Sequence, residues 1–558
     1  MKFLLRPSVL IAVSLALVLG AVAVWFRFRP EPTGPTPLPV APGDREIVWL
    51  YQATSTATWE RFVTAVQLME ERLRDELPGI KAIIDEKAFP SQSTAVPEVA
   101  LTWNGAGGRI VFRWYKLTSD WKARDWVTAL LKDRPPPLAI IGGSSSEGAR
   151  DLAVQLRAAT AQLDPERRPL LLLTTATADL VDWPADEPQP ANLDFQIPEA
   201  VGRPPRVSLE AIYAQRTFRF CFNNRQMSEA ATQFLWSRED LRPTSDQVYM
   251  VQWKDDPYSR DLVDGFVQSC NSLLGDAASS SVQEVLSSFG TSQATNRFEV
   301  GCVKDLLDKV ESTAPAFVPA PDLRRKRSLL VVAGQALPTR RFLRELAHTD
   351  PRMARGFVVA TGDALAFNTI YRDRLVTWPI QDLPYPLILF SHANPVDPEA
   401  GFKPHADGRA GTNIVGDSGA TGTEDVLLFA DIVGTAARGT FTTAGPLADA
   451  SGVTARLRSA RYFSGRITFG GEGIPLFGKD GNRESGTGEY VVCLLPQFQG
   501  GRALAMIGGS GGWVAGGMPT TQGGRALARA VIEVWTRRDR GADRVWERCC
   551  EPLTVSYD

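Results

Sequence analysis

The sequence predicts an α/β protein of two lobes, each a parallel sheet flanked by helices. Two observations carry this. Short apolar strands alternate with helices of about a dozen residues, the mark of parallel βαβ units. The alternation runs twice, on either side of a proline-rich acidic stretch at 183–205. The strands also end in Gly, Ser, Thr and Asp clusters, where open α/β sheets bind ligands. Composition fits: 44% hydrophobic and 22% charged residues allow a large core. The 61 Lys+Arg against 63 Asp+Glu give a net charge of −2, which excludes nucleic-acid binding through an overall basic field.

The N-terminus sets the compartment. Lys2 and Arg6 precede an uncharged run at 7–26, closed by Arg27 and Arg29. As a helix this run reaches about 30 Å, the thickness of a bilayer core. One reading is a retained membrane helix over 1–29 with Trp25 at the interface. The other is a secretory signal with its apolar region at 9–19, cut near Ala21-Val22-Ala23. Either way the body is exported to the cell envelope, inner-membrane anchored on its periplasmic side or released there. Residues 30–44 follow as a proline-rich linker, a stiff extended spacer.

The body opens with a strand at 47–51 and an amphipathic helix over 59–77, with Phe62, Val66, Leu68, Met69 and Leu73 at helical spacing. A strand at 109–116 and a helix at 121–132 come next. The strand 138–141 ends in Gly142-Gly143-Ser144-Ser145-Ser146 before a helix at 147–160. The strand 169–173 ends in Thr174-Thr175-Ala176-Thr177. The second run has a strand at 247–252, the exit Asp255-Asp256-Pro257-Tyr258 and a helix at 259–274. A strand at 328–333, a helix at 339–347 and a strand at 357–360 ending in Thr361-Gly362-Asp363 complete it. Residues 394–423 read as an irregular glycine-rich insertion. Helices at 424–437 and 453–460 and a strand at 465–469 follow, and the second Gly-Gly-Arg-Ala-Leu-Ala copy opens a helix ending near Arg537.

Taken in order, these segments resemble the type I periplasmic-binding-protein fold, and within it the leucine/branched-chain amino-acid-binding proteins. Asn104-Gly105 through 109–112 to Asp120 is similar to that family's "nGr-strand-D" segment, and 138–146 to its "vIGPxSS" turn. Residues 171–177 resemble "lISPsAT", Phe218-Arg219-Phe220 the crossover, and 251–266 the "yddxxYGxgla-F" stretch. Residues 423–437 with Gly465-Arg466-Ile467-Thr468-Phe469 resemble its close. The resemblance implies lobe 1 at 45–217 with 385–462, lobe 2 at 218–384 with 463–498, and a C-terminal extension at 499–558. It also implies three crossovers and a small amino-acid-like ligand held in the cleft. Ser145 and Ser146 would meet its carboxylate, Ala176 and Thr177 would add a backbone contact and a hydroxyl, and Tyr258 and Asp363 would close from lobe 2. The residue types suit this: hydroxyls at a helix start attract a carboxylate, and an acid in a dry cleft attracts an ammonium group. The same hydroxyls also serve as plain helix caps. Three positions depart from the family pattern: Gly143 for proline, Ser259 for glycine, and Asp363 where many relatives carry Glu.

No catalytic or metal chemistry competes. The three histidines and six cysteines include no CxxC pair and no Cys–His spacing suited to zinc. Gly508-Gly509-Ser510-Gly511-Gly512 has the GxSxG form, but no histidine follows it. Gly416-Asp417-Ser418-Gly419 imitates a serine-protease motif in the wrong fold class. No P-loop appears and no cofactor is implied. The expectation is a tethered binding protein, not an enzyme. Its partners would be a small polar solute, a membrane transporter or sensor, and the membrane itself, with no nucleic acid. The alternative is an interaction module that keeps the fold without the ligand.

Overall fold

The computed structural model describes residues 34–84, 97–197, 203–243, 248–253, 256–274, 282–287, 298–313, 327–365, 383–399, 409–410, 423–441, 446–463, 466–469, 471–496, 503–506, 513–516, 530–540 and 543–555.

Two large sheets organise the chain. In the first, the parallel strands Arg45–Gln52, Arg109–Leu117, Ala139–Gly142, Leu170–Leu173 and Thr217–Arg219 lie in the order second, first, third, fourth, fifth. In the second, Val248–Trp253, Val282–Ser287, Ser328–Ala333, Phe357–Ala360 and Leu387–Ser391 repeat that order. An identical doubly wound order in both halves is the architectural basis of the two lobes. It also puts each lobe's topological switch point between its first and third strands.

The strand sequences are nearly all apolar because both faces are covered. Ile47, Trp49 and Tyr51 point into one core of the first lobe, with helices Thr56–Arg72, Thr423–Thr440 and Ala450–Ser459. Val48 and Leu50 point into the other, with Ala123–Leu131 and Ser146–Ala159. The second lobe alternates likewise: Leu330 and Val332 face one core, Leu329 and Val331 the other. Aromatic packing sets the first lobe's centre. Trp49 stacks on Tyr51 at 4.1 Å and meets Trp114 edge-on at 5.3 Å, and such pairs each add about 0.5–1.5 kcal/mol beyond their buried area.

Several expectations need correction. Leu387–Ser391, assigned above to lobe 1, is the fifth strand of the second sheet. The segment expected to be helical up to Arg537 is the strand Ala530–Arg540, paired antiparallel with Tyr490–Pro496. With Asp543–Arg548 and Leu553–Val555 it extends the second sheet, so these three strands are part of that lobe, whereas Ala503–Met506 and Trp513–Gly516 pair with each other in a separate hairpin. Its β-branched alternation decides: Ile532 and Val534 enter one core, Val531 the other. The linker is not a spacer clear of the body over its described part. Leu38 N donates to Tyr115 Oη at 3.0 Å, and Arg113 donates to the Pro39 carbonyl at 3.1 Å. The stretch after 183 is anchored by buried Trp183 and framed by the paired strands Leu180–Asp182 and Arg206–Ser208.

The expected membrane helix lies outside the described residues, as do Ser418 and Ser510. Among the described residues no helix is long and apolar enough to cross a membrane. All six cysteines are free thiols.

Candidate functional site

Three crossovers meet between the lobes. At the first, Phe220 belongs to a core of the first lobe and Phe222 to a core of the second, with Cys221 between them. At the second, His392 follows the strand Leu387–Ser391 and accepts the Phe222 amide at Nδ1, 3.1 Å away. At the third, Arg483 donates to the Phe220 carbonyl at 2.9 Å and lies over the Phe222 ring at 4.5 Å. Gly481 has φ +93°, and a Cβ there would come within 2.1 Å of the Thr217 carbonyl oxygen, so only glycine lets this strand approach. The hinge is therefore stitched across its own strands. Burial pushes the Cys221 thiol up to about 12, which makes it an inert packing group.

The first lobe's switch point presents hydrogen-bond donors. Ser145 caps the helix Ser146–Ala159, accepting Gly148 N at 3.1 Å, and it is exposed, so its own O–H remains to donate. Buried Ser146 instead accepts Ala178 N at 3.1 Å, tying the helix start to the neighbouring turn. Ala176 and Thr177 are fully buried in that turn, and the Thr177 hydroxyl has no partner among the described residues. The Thr177 carbonyl is taken by Asn224 N at 2.8 Å. Gly143, where the family carries proline, has φ +77°, which proline cannot adopt.

The second lobe's rim is acidic. Tyr258 donates to Asp363 Oδ1 at 2.9 Å, and His392 Nε2 lies 3.0 Å from Asp363 Oδ2. Because Nδ1 accepts an amide proton, the ring proton sits on Nε2 and points at Asp363. Burial raises the Tyr258 hydroxyl well above its ordinary range, and the Asp363 charge adds to it, so it stays a donor. Ser259, where the family carries glycine, accepts Trp253 N at 2.6 Å and donates to the Ala333 carbonyl. It thus pins together the ends of the strands flanking that lobe's switch point.

The structure therefore joins Ser146 to the 176–178 turn, and Tyr258 to Asp363. Asn224 links the two sets, since its Nδ2 donates to the Tyr258 carbonyl at 3.1 Å. Glu147, beside the serines, raises the carboxyl of Asp256, two residues before Tyr258, by its charge. Burial first, then that neighbour, pushes the Asp256 carboxyl up to about 6. His392 was not among the sequence candidates. Its signal is position, one residue beyond a buried strand and on the same sheet edge as Asp363. Among the described residues no cluster suited to a metal ion occurs. The arrangement can hold a group of mixed polarity, with donors on one side and a carboxylate on the other.

No protein family and no curated protein matches the chain. Solved structures do. An ABC transporter substrate-binding protein from Desulfitobacterium hafniense, in complex with Leu, is 11% identical with a TM-score of 0.46, covering 85% of this chain and 99% of its own. A leucine-binding protein from Thermotoga maritima is 15% identical with a TM-score of 0.42, covering 80% and 95%. An ABC transporter solute-binding protein from R. palustris, in complex with 4-hydroxybenzoate, is 10% identical with a TM-score of 0.46, covering 85% and 96%. The fold itself rests on the strand order, and the site on its own residues.

Proposed function

We propose that this chain is an exported solute-binding protein that holds a small, amino-acid-like molecule between its lobes without transforming it. The observation that supports this best is the juxtaposition of the two switch points. Ser145 and the helix start behind it suit a carboxylate, with Ser146 and Thr177 shaping that wall. Asp363, oriented by Tyr258 and His392, suits an ammonium group. The uncharged run at 7–26 would tether the body to the membrane, where it serves ABC-type uptake or sensing. Thermal-shift screening with the common amino acids, their amides and simple carboxylates tests this reading. A bound solute stabilises as RT ln(1 + [L]/Kd), so at least one zwitterion should raise Tm while its amide does not. No shift across the panel would contradict it.

A second reading has its own support. Ser146, Tyr258 and Asp363 are all bonded within the chain. A fold that satisfies its own rim could serve as a ligand-free interaction module of the envelope. Silence in the screen would favour that reading.

A further inference from the structure

The lobes also meet beside the first crossover, on the side of the paired strands Leu180–Asp182 and Arg206–Ser208. These belong to the first lobe and lie against the helix Pro257–Leu274 of the second. Asp261 of that helix is the centre. Its side chain is 7% exposed, and it accepts Asp179 N at 2.8 Å, Leu180 N at 3.1 Å and Asn224 Nδ2 at 3.0 Å. Arg206 reaches both Asp261, at 3.4 Å, and Asp264, at 3.0 Å. One residue earlier, Arg260 pairs with Asp182 at 2.5 Å, both largely buried. From below, Arg219 holds the same turn through the Ala178 and Thr177 carbonyls, at 2.8 and 3.1 Å. Every bond in this set is between groups of the chain itself. Parting the lobes here would break the Asp261 bonds to the Asp179 and Leu180 amides and to Arg206, together with the Arg260–Asp182 pair, and leave Asp261 with Asn224 alone.

We propose that this set is a clasp that holds the lobes closed independently of solute, so that opening, not closing, is the step that a solute or partner must drive. A ligand shifts a two-state equilibrium only by its differential affinity for the two states. A clasp that already favours the closed state leaves little further closure for a solute to produce, and makes entry conditional on breaking the clasp. That consequence for solute entry rests on the solute-binding reading above. The clasp itself does not.

Hydrogen–deuterium exchange of the full chain, with no solute added, tests it. The Asp179 and Leu180 amides are expected to exchange slowly in the wild type. In Arg260→Ala and in Asp261→Asn they should exchange at least 10-fold faster, with the amides of Arg45–Gln52 unchanged as the control for folding. The exchanged pair Arg260→Asp with Asp182→Arg should restore slow exchange. Fast exchange in the wild type, or equal rates in wild type and variants, would overturn the clasp. The result is independent of whether any amino acid binds, so its failure and that of the solute-binding reading are separable.

Discussion

The two lobes share one strand order but have grown on opposite edges. The first lobe adds antiparallel strands, Glu98–Thr102 and Lys81–Ile84, beyond its second strand. The second adds Tyr490–Pro496, Ala530–Arg540 and Leu553–Val555 beyond its fifth. In neither case does an added strand sit between the first and third strands. Growth is tolerated at sheet edges, where it covers unpaired backbone, and it leaves the switch points alone. The rims differ in the complementary sense: helix-start donors on the first lobe, an acid with two donors of its own on the second. Shared topology thus places the candidate site, and the exits of the strands set its chemistry.

The comparison can be broken first at its buried charges. In the first lobe, Arg219 is fully buried against Glu210. Arg219→Leu strands that acid and the Ala178 carbonyl, and should cost about 3–5 kcal/mol in urea unfolding. In the second lobe, Arg537 pairs with Glu489 at 2.9 Å, both 1% exposed. Arg537→Ala should cost somewhat less, about 3 kcal/mol, because Glu489 keeps the Gly486 amide. A loss below about 1 kcal/mol in either would show that these pairs do not carry their lobes.

The rims are tested next. Asp363→Asn keeps the shape and removes the charge. It should weaken amino-acid binding by at least about 10-fold while shifting stability by about 1 kcal/mol.

A smaller effect is pH-dependent. Burial raises both Asp179 and Asp256 to about 6 from their ordinary 3.8. An acid whose folded value lies above its unfolded one stabilises most below the unfolded value, and that stability is lost as pH rises through the folded one. Their contribution should therefore fall between about pH 4 and pH 6, and calorimetry of Asp256→Asn should show a shallower fall than the wild type. An unchanged slope would remove Asp256 from the account. The smallest effect belongs to the exposed Arg466–Glu399 pair, 72% and 51% exposed. Arg466→Ala should change stability by no more than about 0.5 kcal/mol.

Much of this was legible in the sequence, for physical reasons. The strands at 47–51, 138–141, 169–173, 328–333 and 357–360 are apolar runs closed by turn residues, and their helices carry a clear period. Leu387–Ser391 was harder to place: it is a brief run bounded by Pro386 and His392, just inside the boundary at 385 where the chain is expected to return to lobe 1. Ala530–Arg540 was misread because Arg525, Ala526, Leu527 and Ala528 before it favour helix, while its pairing with Tyr490–Pro496 overrides that preference. Of the site, the strand exits were readable from their polar clusters. The Asp363–His392 bond was not, since it joins the ends of two strands through a tertiary contact. Ser259 looked like a departure from a pattern, and its role at the strand ends emerges only once both strands are in place.

The central claim is that one solute spans both rims. Titration calorimetry of the amino acid giving the largest thermal shift, against wild type, Ser145→Ala and Asp363→Asn, tests it most directly. Spanning predicts that each single change weakens affinity, Asp363→Asn by at least about 10-fold and Ser145→Ala by about 3- to 10-fold. Affinity that depends on one rim and ignores the other would contradict it.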